Sequence, residues 1–199
     1  MSRQDTATGG AQTKQQMRAT ALALRQAMPA QTRAALAQSL LQHGLAAAER
    51  CAATAVSLYW PIRGEPDVLP LLAVLARAGF TTALPVTGAR GQPLVFRVWR
   101  PGDPQVAGPM AIPEPAPHLP AVEPDLLFMP LTVFDRRGNR IGYGAGYYDL
   151  SLQRLRAMQR VTAIGIAFAA LEAAAVPCEP HDQKLDFVLT ENGLMDCRE

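Results

Sequence analysis

The most chemically informative part of the chain is residues 135–149, which read DRRGNRIGYGAGYYD. Three glycines alternate directly before a predicted helix: Gly142, Gly144 and Gly146. Glycine lets backbone N–H groups approach an anion closely, and a helix N-terminus adds free N–H donors and the positive end of the helix dipole. Cations that can make bidentate phosphate contacts lie just upstream, at Arg136, Arg137 and Arg140. The pattern predicts a phosphate-binding loop.

A metal-binding carboxylate follows the glycines. Asp149 falls in the first turn of the predicted helix and is a hard oxygen ligand of the kind that Mg²⁺ takes beside phosphates. The loop is not a Walker A motif, since no Gly-Lys-Ser/Thr follows, and it is not a Rossmann fingerprint, since Tyr147 replaces the third glycine. Two simpler interpretations stay open at this point: glycines also form tight turns, and the helix dipole alone favours an aspartate there.

The segment resembles the signature of the 5-formyltetrahydrofolate cyclo-ligase family, which has a form close to FDxxGxRLGxGxGYYD. Ile141 stands for the common leucine. The matching positions are Phe134, Asp135, Gly138, Arg140, Gly142, Gly144, Gly146, Tyr147, Tyr148 and Asp149. The match is long and specific.

The resemblance extends over nearly the whole chain. Lys14 and Arg18 are similar to an N-terminal Lys-x-x-Leu-Arg motif, and residues 112–115 (IPEP) are similar to an element of the family's long loop. Trp60 and Glu65, within YWPIRGEPD, fall where the family places folate contacts. Near the end, PCEPHDQKLD is similar to the region whose first aspartate, here Asp182, is a magnesium site.

The resemblance implies ATP- and Mg²⁺-dependent cyclisation of 5-formyltetrahydrofolate to 5,10-methenyltetrahydrofolate, and it implies a role for each matching residue. ATP contacts are expected from Lys14, Arg18, Arg140, Ile141, Gly142, Tyr143, Gly144, Ala145, Gly146, Tyr147 and Tyr148. Folate contacts are expected from Trp60, Glu65, Tyr143, Gly144, Gly146 and Tyr147. Asp149 and Asp182 are the expected Mg²⁺ ligands, and Arg140 and Tyr148 the expected catalytic residues.

The chain departs from the family pattern at two positions. Leu150 stands where many members carry arginine, and Ala145 occupies a position often filled by glycine or lysine.

Two other classes of function remain as alternatives. One is a sugar-phosphate isomerase or thioester-acting enzyme that needs no ATP, and the other is a non-catalytic nucleotide- or RNA-binding relative.

Each matching residue also has an ordinary structural explanation. Lys14 and Arg18 lie four residues apart and could form a solvated helix face. Glu65 could be an exposed loop carboxylate, Trp60 a core residue, and Asp182 the cap of a turn. Their occurrence together, in the family's order, favours the functional interpretation.

Apolar runs and turn residues predict a sheet with helices on both faces. Helices are expected at residues 14–27, 29–50, 67–78 and 147–159, and strands at 55–60, 80–84, 94–99, 126–129, 161–168 and 187–190. Residues 101–124 are expected to form a long loop. Strands that alternate with helices and are almost continuously apolar predict an α/β three-layer sandwich with a mainly parallel central sheet and an N-terminal helical arm. We expect a flexible leader over 1–13 and a single domain over 14–199.

Composition excludes several classes of protein. The chain has 199 residues, a formal net charge of +2, 49% hydrophobic and 18% charged residues, which argues against a nucleic-acid binder and against a disordered acidic chain. Cys51, Cys178 and Cys197 are far apart and lack metal-ligand spacing, which favours a reducing compartment. Apolar runs such as Leu71–Ala76 are far shorter than the about 20 residues of a membrane span. We expect a cytoplasmic monomer that binds neither nucleic acid nor a membrane.

Overall fold

The computed structural model describes residues 13–198, and helices and strands alternate over most of that length. The helices are α1 Lys14–Gln26, α2 Ala30–Arg50, α3 Leu69–Arg77 and α4 Tyr147–Met158. The strands are β1 Ala55–Ser57, β2 Thr81–Val86, β3 Val95–Val98, β4 Gln105–Ala107, β5 Pro113–Pro115, β6 Leu126–Pro130, β7 Val133–Phe134, β8 Arg140–Ile141, β9 Thr162–Ile166, β10 Phe187–Thr190 and β11 Gly193–Asp196. The leader predicted at 1–13 lies outside the described residues apart from Thr13.

Seven strands form the central sheet, in the order β11-β10-β9-β6-β1-β2-β3. The neighbours from β2 across to β10 pair in parallel, whereas the edge strands β3 and β11 pair antiparallel. Every residue of β1 and β10 is buried, and nearly all of β6 and β9. The predicted mainly parallel sheet is confirmed.

The crossovers place helices on both faces of this sheet. The chain moves from β1 through α3 to β2 in one direction and from β6 through α4 to β9 in the other. Right-handed crossovers in opposite directions put α3 and α4 on opposite faces, while α2 packs against α3 and β10. The three-layer architecture follows from this order.

The N-terminus of helix α1 is capped by local hydrogen bonds. The Thr13 side chain accepts a hydrogen bond from the Gln16 backbone, and the Gln16 side chain accepts one from the Thr13 backbone, which is a capping box. The helix then contacts β7 and the short 3₁₀ turn Ala169–Leu171. None of the helices in residues 13–198 combines the length and the hydropathy that a membrane span requires.

Several element boundaries differ from the sequence predictions. Strand β2 continues through Pro85 instead of ending there. Proline lacks an N–H, but none is needed at this position, because β1 ends at Ser57, which pairs with Ala83. The loop predicted at 101–124 contains the small antiparallel ribbon β4–β5. Strand β11 and the hairpin β7–β8 were not predicted.

Candidate active site

A cavity of about 590 Å³ opens at the carboxyl ends of β1 and β6. The order of the strands reverses between these two strands, and ligands of open α/β sheets bind at such a point. The cavity is lined by every residue to which the family resemblance gives a contact or a catalytic role: Lys14, Arg18, Trp60, Glu65, Arg140, Ile141, Gly142, Tyr143, Gly144, Ala145, Gly146, Tyr147, Tyr148, Asp149 and Asp182. Residues far apart in sequence therefore meet in one place.

The glycine loop ends at the open N-terminus of α4. Gly146 is the N-cap of this helix in the left-handed region, with φ of 74°, and no side chain caps the first turn. Gly144 also has a positive φ of 93°, and a Cβ there would lie 3.3 Å from Nη2 of Arg18. The free N–H groups of the first helical turn, beside an arginine, are the donors that an anion needs.

Helix α1 turns three cations toward this region. Lys14, Arg18 and Arg25 are spaced by four and seven residues, which places them on one face of an α-helix. Arg18 Nε donates a hydrogen bond of 2.7 Å to the Gly142 carbonyl and so fixes the loop. Lys14 Nζ donates one of 2.7 Å to Asp182 Oδ2 and lies 3.7 Å from Glu179.

The two predicted metal carboxylates both have cationic partners. Asp149 Oδ1 accepts hydrogen bonds from Arg140 Nη2 at 2.8 Å and from the Gln183 backbone N–H at 3.0 Å. Burial alone would raise the pKa of Asp182, but the hydrogen bonds from Lys14 and the Glu179 backbone outweigh it and lower that pKa. Burial lowers the pKa of Arg140, although a guanidinium stays protonated throughout.

Asp149 and Asp182 have the chemistry of a Mg²⁺ site. Gln183 follows Asp182 and donates to Asp149, so a single short segment contacts one carboxylate and carries the other, and both line the cavity. The hydrogen bonds to these side chains use Oδ1 of Asp149 and Oδ2 of Asp182, so each carboxylate has a second oxygen. Carboxylate oxygens are the ligands that Mg²⁺ prefers, so these residues fit the ion.

Glu179 and His181 extend this acidic corner. One ligand atom from each of Glu179, His181 and Asp182 lies within 4.8 Å of the others. Both added residues are exposed, and the sequence assigned neither of them to the site.

Glu65 lies at the opposite end of the cavity and is buried. Its Oε2 accepts a hydrogen bond of 2.9 Å from the Ile62 backbone N–H. Burial raises the pKa of this carboxyl, although the Ile62 N–H, the nearby Tyr143 hydroxyl and Arg25 oppose the rise. Glu65 is therefore not the exposed loop carboxylate of the simpler interpretation.

Aromatic side chains surround the same end. The rings of Trp60 and Trp99 meet edge to face, with centroids 6.0 Å apart. The Tyr147 hydroxyl donates a hydrogen bond to the Gly88 carbonyl, and burial raises the pKa of Tyr148 well above its usual range. Flat apolar walls with a buried carboxylate suit a planar ligand that carries N–H donors.

Two arginines predicted to contact phosphate do not line the cavity. Arg136 is exposed and pairs with Glu172, and Arg137 lines a different, smaller cavity. Both lie at the tip of the β7–β8 hairpin, where Asp135 accepts hydrogen bonds from the Arg137 and Asn139 backbones and turns the tip away. Gly138 is required there, because a Cβ would lie 2.4 Å from the Leu185 carbonyl oxygen.

Residues that the sequence did not assign also form the site. Arg63 and Met110 line the cavity, and the buried Arg25 lies directly behind its wall. Met110 has a positive φ of 59° and exposes most of its side chain. Arg25 could have been predicted from the sequence, because its spacing from Lys14 and Arg18 places all three on one face of a helix.

The fold and the cavity define an α/β enzyme whose site has an anion-binding end and an aromatic, carboxylate-bearing end. The chain belongs to the 5-formyltetrahydrofolate cyclo-ligase family, whose sequence model matches residues 10–191.

Relatives of similar length support this membership. The 5-formyltetrahydrofolate cyclo-ligase of Mycolicibacterium smegmatis is 34% identical over 194 residues, covering 93% of this chain and 97% of the relative. That of Haemophilus influenzae is 31% identical over 183 residues, covering 89% and 97%. The NMR structure of Aquifex aeolicus 5,10-methenyltetrahydrofolate synthetase superposes with a TM-score of 0.77 at 25% identity, covering 94% and 93% of the two chains.

Proposed function

We propose that this enzyme cyclises 5-formyltetrahydrofolate to 5,10-methenyltetrahydrofolate at the expense of ATP, releasing ADP and phosphate. The proposal rests on the observation that a single cavity has two ends of different chemistry. The cationic, glycine-rich end suits a triphosphate, and the end with Glu65 and Trp60 suits a pterin ring.

The reaction needs an activated oxygen. The γ-phosphoryl group of ATP passes to the formyl oxygen, which leaves ADP and an iminium phosphate at N5 of the folate. The N10 amine attacks the formyl carbon and loses its proton, and the C–O bond then breaks to release phosphate, which keeps that oxygen and takes up the proton as hydrogen phosphate. The protein must align these atoms and neutralise charge, as in phosphoryl transfer generally.

The nucleotide end uses α1 and the glycine loop. Lys14 and Arg18 supply cations to the triphosphate, and the loop supplies backbone N–H groups. Its contacts to ATP are assigned to Ile141, Gly142, Tyr143, Gly144, Ala145, Gly146, Tyr147 and Tyr148. Arg18 is well suited, because only its Nε is used in holding Gly142, which leaves its terminal nitrogens for phosphate.

Asp149 and Asp182 would hold Mg²⁺. The ion would neutralise phosphate charge when bound. Lys14 holds Asp182 in its place, and Arg140 holds Asp149 in its place. These two cations orient both carboxylates toward the cavity wall that they line.

The folate end uses both walls of the cavity. Trp60 and Tyr147 pack against the pterin ring, and Glu65 accepts hydrogen bonds from its donor edge. The loop residues Tyr143, Gly144 and Gly146 also line the cavity and complete this surface.

Arg140 and Tyr148 are assigned to the reacting groups. Arg140 lines the cavity, so its charge acts at the transferred phosphoryl group as well as at Asp149. Tyr148 is a phenol and burial raises its pKa further, so it keeps its proton at neutral pH and donates a hydrogen bond to the oxygen on which charge develops.

The test is the appearance of the methenyl absorbance from 5-formyltetrahydrofolate, measured with and without ATP and with and without Mg²⁺. We expect product only when both are present. Folded protein that forms no product in the complete mixture would refute the proposal. Product formed without ATP would point to a different reaction at the same cavity. The predicted cytoplasmic location and monomeric state remain predictions, and size-exclusion chromatography tests the second.

A further inference from the structure

Arg25 is a buried arginine that lies behind the cavity wall. It is 1% exposed and belongs to α1. One terminal nitrogen, Nη2, donates to the Tyr143 hydroxyl and, at 3.1 Å, to the Arg63 carbonyl. The other, Nη1, donates at 3.4 Å to the Leu131 carbonyl and lies 3.9 Å from Glu65 Oε1. A guanidinium without access to water is costly to bury, so its placement needs a reason beyond packing.

Glu65 supplies that reason. Its side chain is 2% exposed, and its Oε1 has no hydrogen-bond partner among residues 13–198. A buried acceptor without a hydrogen bond destabilises the folded state, and the charge of Arg25, 3.9 Å from this atom, offsets part of that cost. Glu65 lines the cavity, so the group that holds its carboxyl in place also sets what the carboxyl offers to a ligand.

We propose that Arg25 is a positioning residue for the ligand, which fixes both the Glu65 carboxylate and the neighbouring Tyr143 hydroxyl at the cavity wall. The chemical class recognised is a flat ring that offers N–H donors to a carboxylate. The proposal rests on the proposed function, in which that ring is the pterin of 5-formyltetrahydrofolate.

Of the two arginines that face Glu65, Arg25 has the larger effect on its carboxyl. Arg25 faces the carboxyl from α1, and Arg63 faces it from the turn after β1. The remaining titratable groups facing Glu65 are the hydroxyls of Tyr59, Tyr143 and Tyr148. Burial raises the pKa of all three, that of Tyr143 to about 12, so these groups are uncharged at neutral pH. Arg63 is exposed and its charge is screened by water, whereas the charge of Arg25 is not.

Tyr143 links this arginine to the glycine loop. Arg18 holds the carbonyl of Gly142, and Arg25 holds the side chain of the next residue. Helix α1 therefore anchors two consecutive loop residues from one face. Through Tyr143, Arg25 also sets the position of the wall between the folate end and the nucleotide end.

The experiment measures binding of 5-formyltetrahydrofolate, without ATP, by calorimetry from pH 5.5 to 8.5 for the wild type and Arg25→Gln. Without the guanidinium, the pKa of Glu65 rises further, and the carboxylate form that binds the ring is populated only at higher pH. We expect folate Kd to rise about tenfold at neutral pH and to recover as the pH increases. The Kd for ATP should change by less than about threefold.

Three further variants separate positioning from stability. Arg33→Gln is the matched control, since Arg33 donates to the Arg25 and Gly64 carbonyls but does not face Glu65. It should lower the melting temperature without moving the pH midpoint of binding. Tyr143→Phe keeps the charge of Arg25 but removes a hydroxyl that lowers the pKa of Glu65, so it should weaken folate binding and raise the pH midpoint as well. In Arg25→Met/Glu65→Gln, which buries no charge, binding should be weak and independent of pH.

Two results in folded Arg25→Gln would overturn the inference. One is an unchanged folate affinity with an unchanged pH profile, and the other is an equal loss of affinity for folate and for ATP. If Arg25→Gln does not fold, the double variant decides: a wild-type pH profile in it would overturn the inference. Failure of the wild type to form methenyl product refutes the proposed function itself. An active wild type with an unperturbed Arg25→Gln refutes only the role of Arg25.

Discussion

Lys14 and Asp182 are 168 positions apart in sequence and are joined by a hydrogen bond of 2.7 Å between Nζ and Oδ2. The first of these residues begins α1, and the second precedes the last strands of the sheet. The pair brings a proposed triphosphate cation and a proposed metal carboxylate together at one corner of the cavity.

Replacing Lys14 with arginine tests whether this corner requires a compact ammonium group. Lysine is a point charge that a planar guanidinium does not reproduce at a shaped site. We expect Lys14→Arg to raise the KM for ATP about tenfold while the KM for folate stays nearly unchanged. Lys184→Arg is the control. Of the 19 lysine and arginine residues only Lys14 and Lys184 are lysines, and Lys184 is exposed and does not line this cavity. An unchanged KM for ATP in Lys14→Arg would contradict the assignment.

Asp149→Ala should abolish turnover, because the variant loses a proposed Mg²⁺ ligand. It also leaves Arg140, whose side chain is 5% exposed, without its carboxylate, so the melting temperature should fall as well. Asp186→Ala removes a carboxylate of similar exposure, 26% against 24% for Asp149, which pairs with Arg156 and does not line the cavity. The control should lose stability and keep its turnover. Full activity in Asp149→Ala would refute the metal assignment.

Gly144→Ala should impair nucleotide binding more than stability. The new Cβ would meet the guanidinium of Arg18 at 3.3 Å, and a φ of 93° strains any residue that has a Cβ. Gly91→Ala introduces comparable strain, at a φ of 83°, where no heavy atom lies within 4 Å of the Cβ. Both variants should lose about 1 kcal/mol of unfolding free energy. Only Gly144→Ala should raise the KM for ATP, and equal kinetics in the two would argue against a phosphate role for the loop.

Asp135 should make stability depend on acidic pH. Burial tends to raise its pKa, but donors from Asn139, Val176 and Arg137 outweigh burial and lower it. A lowered pKa means that the stabilisation is present above the unfolded value of about 3.9 and is lost as the pH falls through the folded value.

The measurement is urea unfolding of Asp135→Asn and the wild type between pH 3 and pH 7. The variant should lose about 2 kcal/mol at pH 7, and the difference should shrink below about pH 4. Asp103→Asn, which disturbs a single backbone donor at Arg100, should show little of either effect. A difference that does not vary with pH would contradict the role of the ionised carboxylate.

The sheet could be predicted because its central strands are buried on both faces and are almost continuously apolar. Strand β11 lacks that signal, since it is an edge strand and its residues Gly193–Asp196 are partly exposed. The ribbon strand Pro113–Pro115 has two prolines, which local propensity excludes from a strand interior. It forms because a two-stranded ribbon leaves one edge of each strand unpaired.

The site could be predicted only as far as its motifs extend. Adjacency in sequence suggested that Arg136 acts with the glycine loop, but a hairpin reverses the chain between them. Arg25 carries no motif, and its partners at residues 63, 131 and 143 are brought to it by the tertiary fold alone.

Because α1 presents its cations to the cavity, occupancy of the site and the docking of this helix are linked equilibria. Its buried residues are Ala21 and Arg25, so few apolar contacts hold it and polar contacts to the loop carry much of the attachment. A ligand that binds only the docked form must suppress local unfolding of the helix. The amide protons of α1 should therefore exchange with solvent more slowly as nucleotide is added, whereas those of α2 should not.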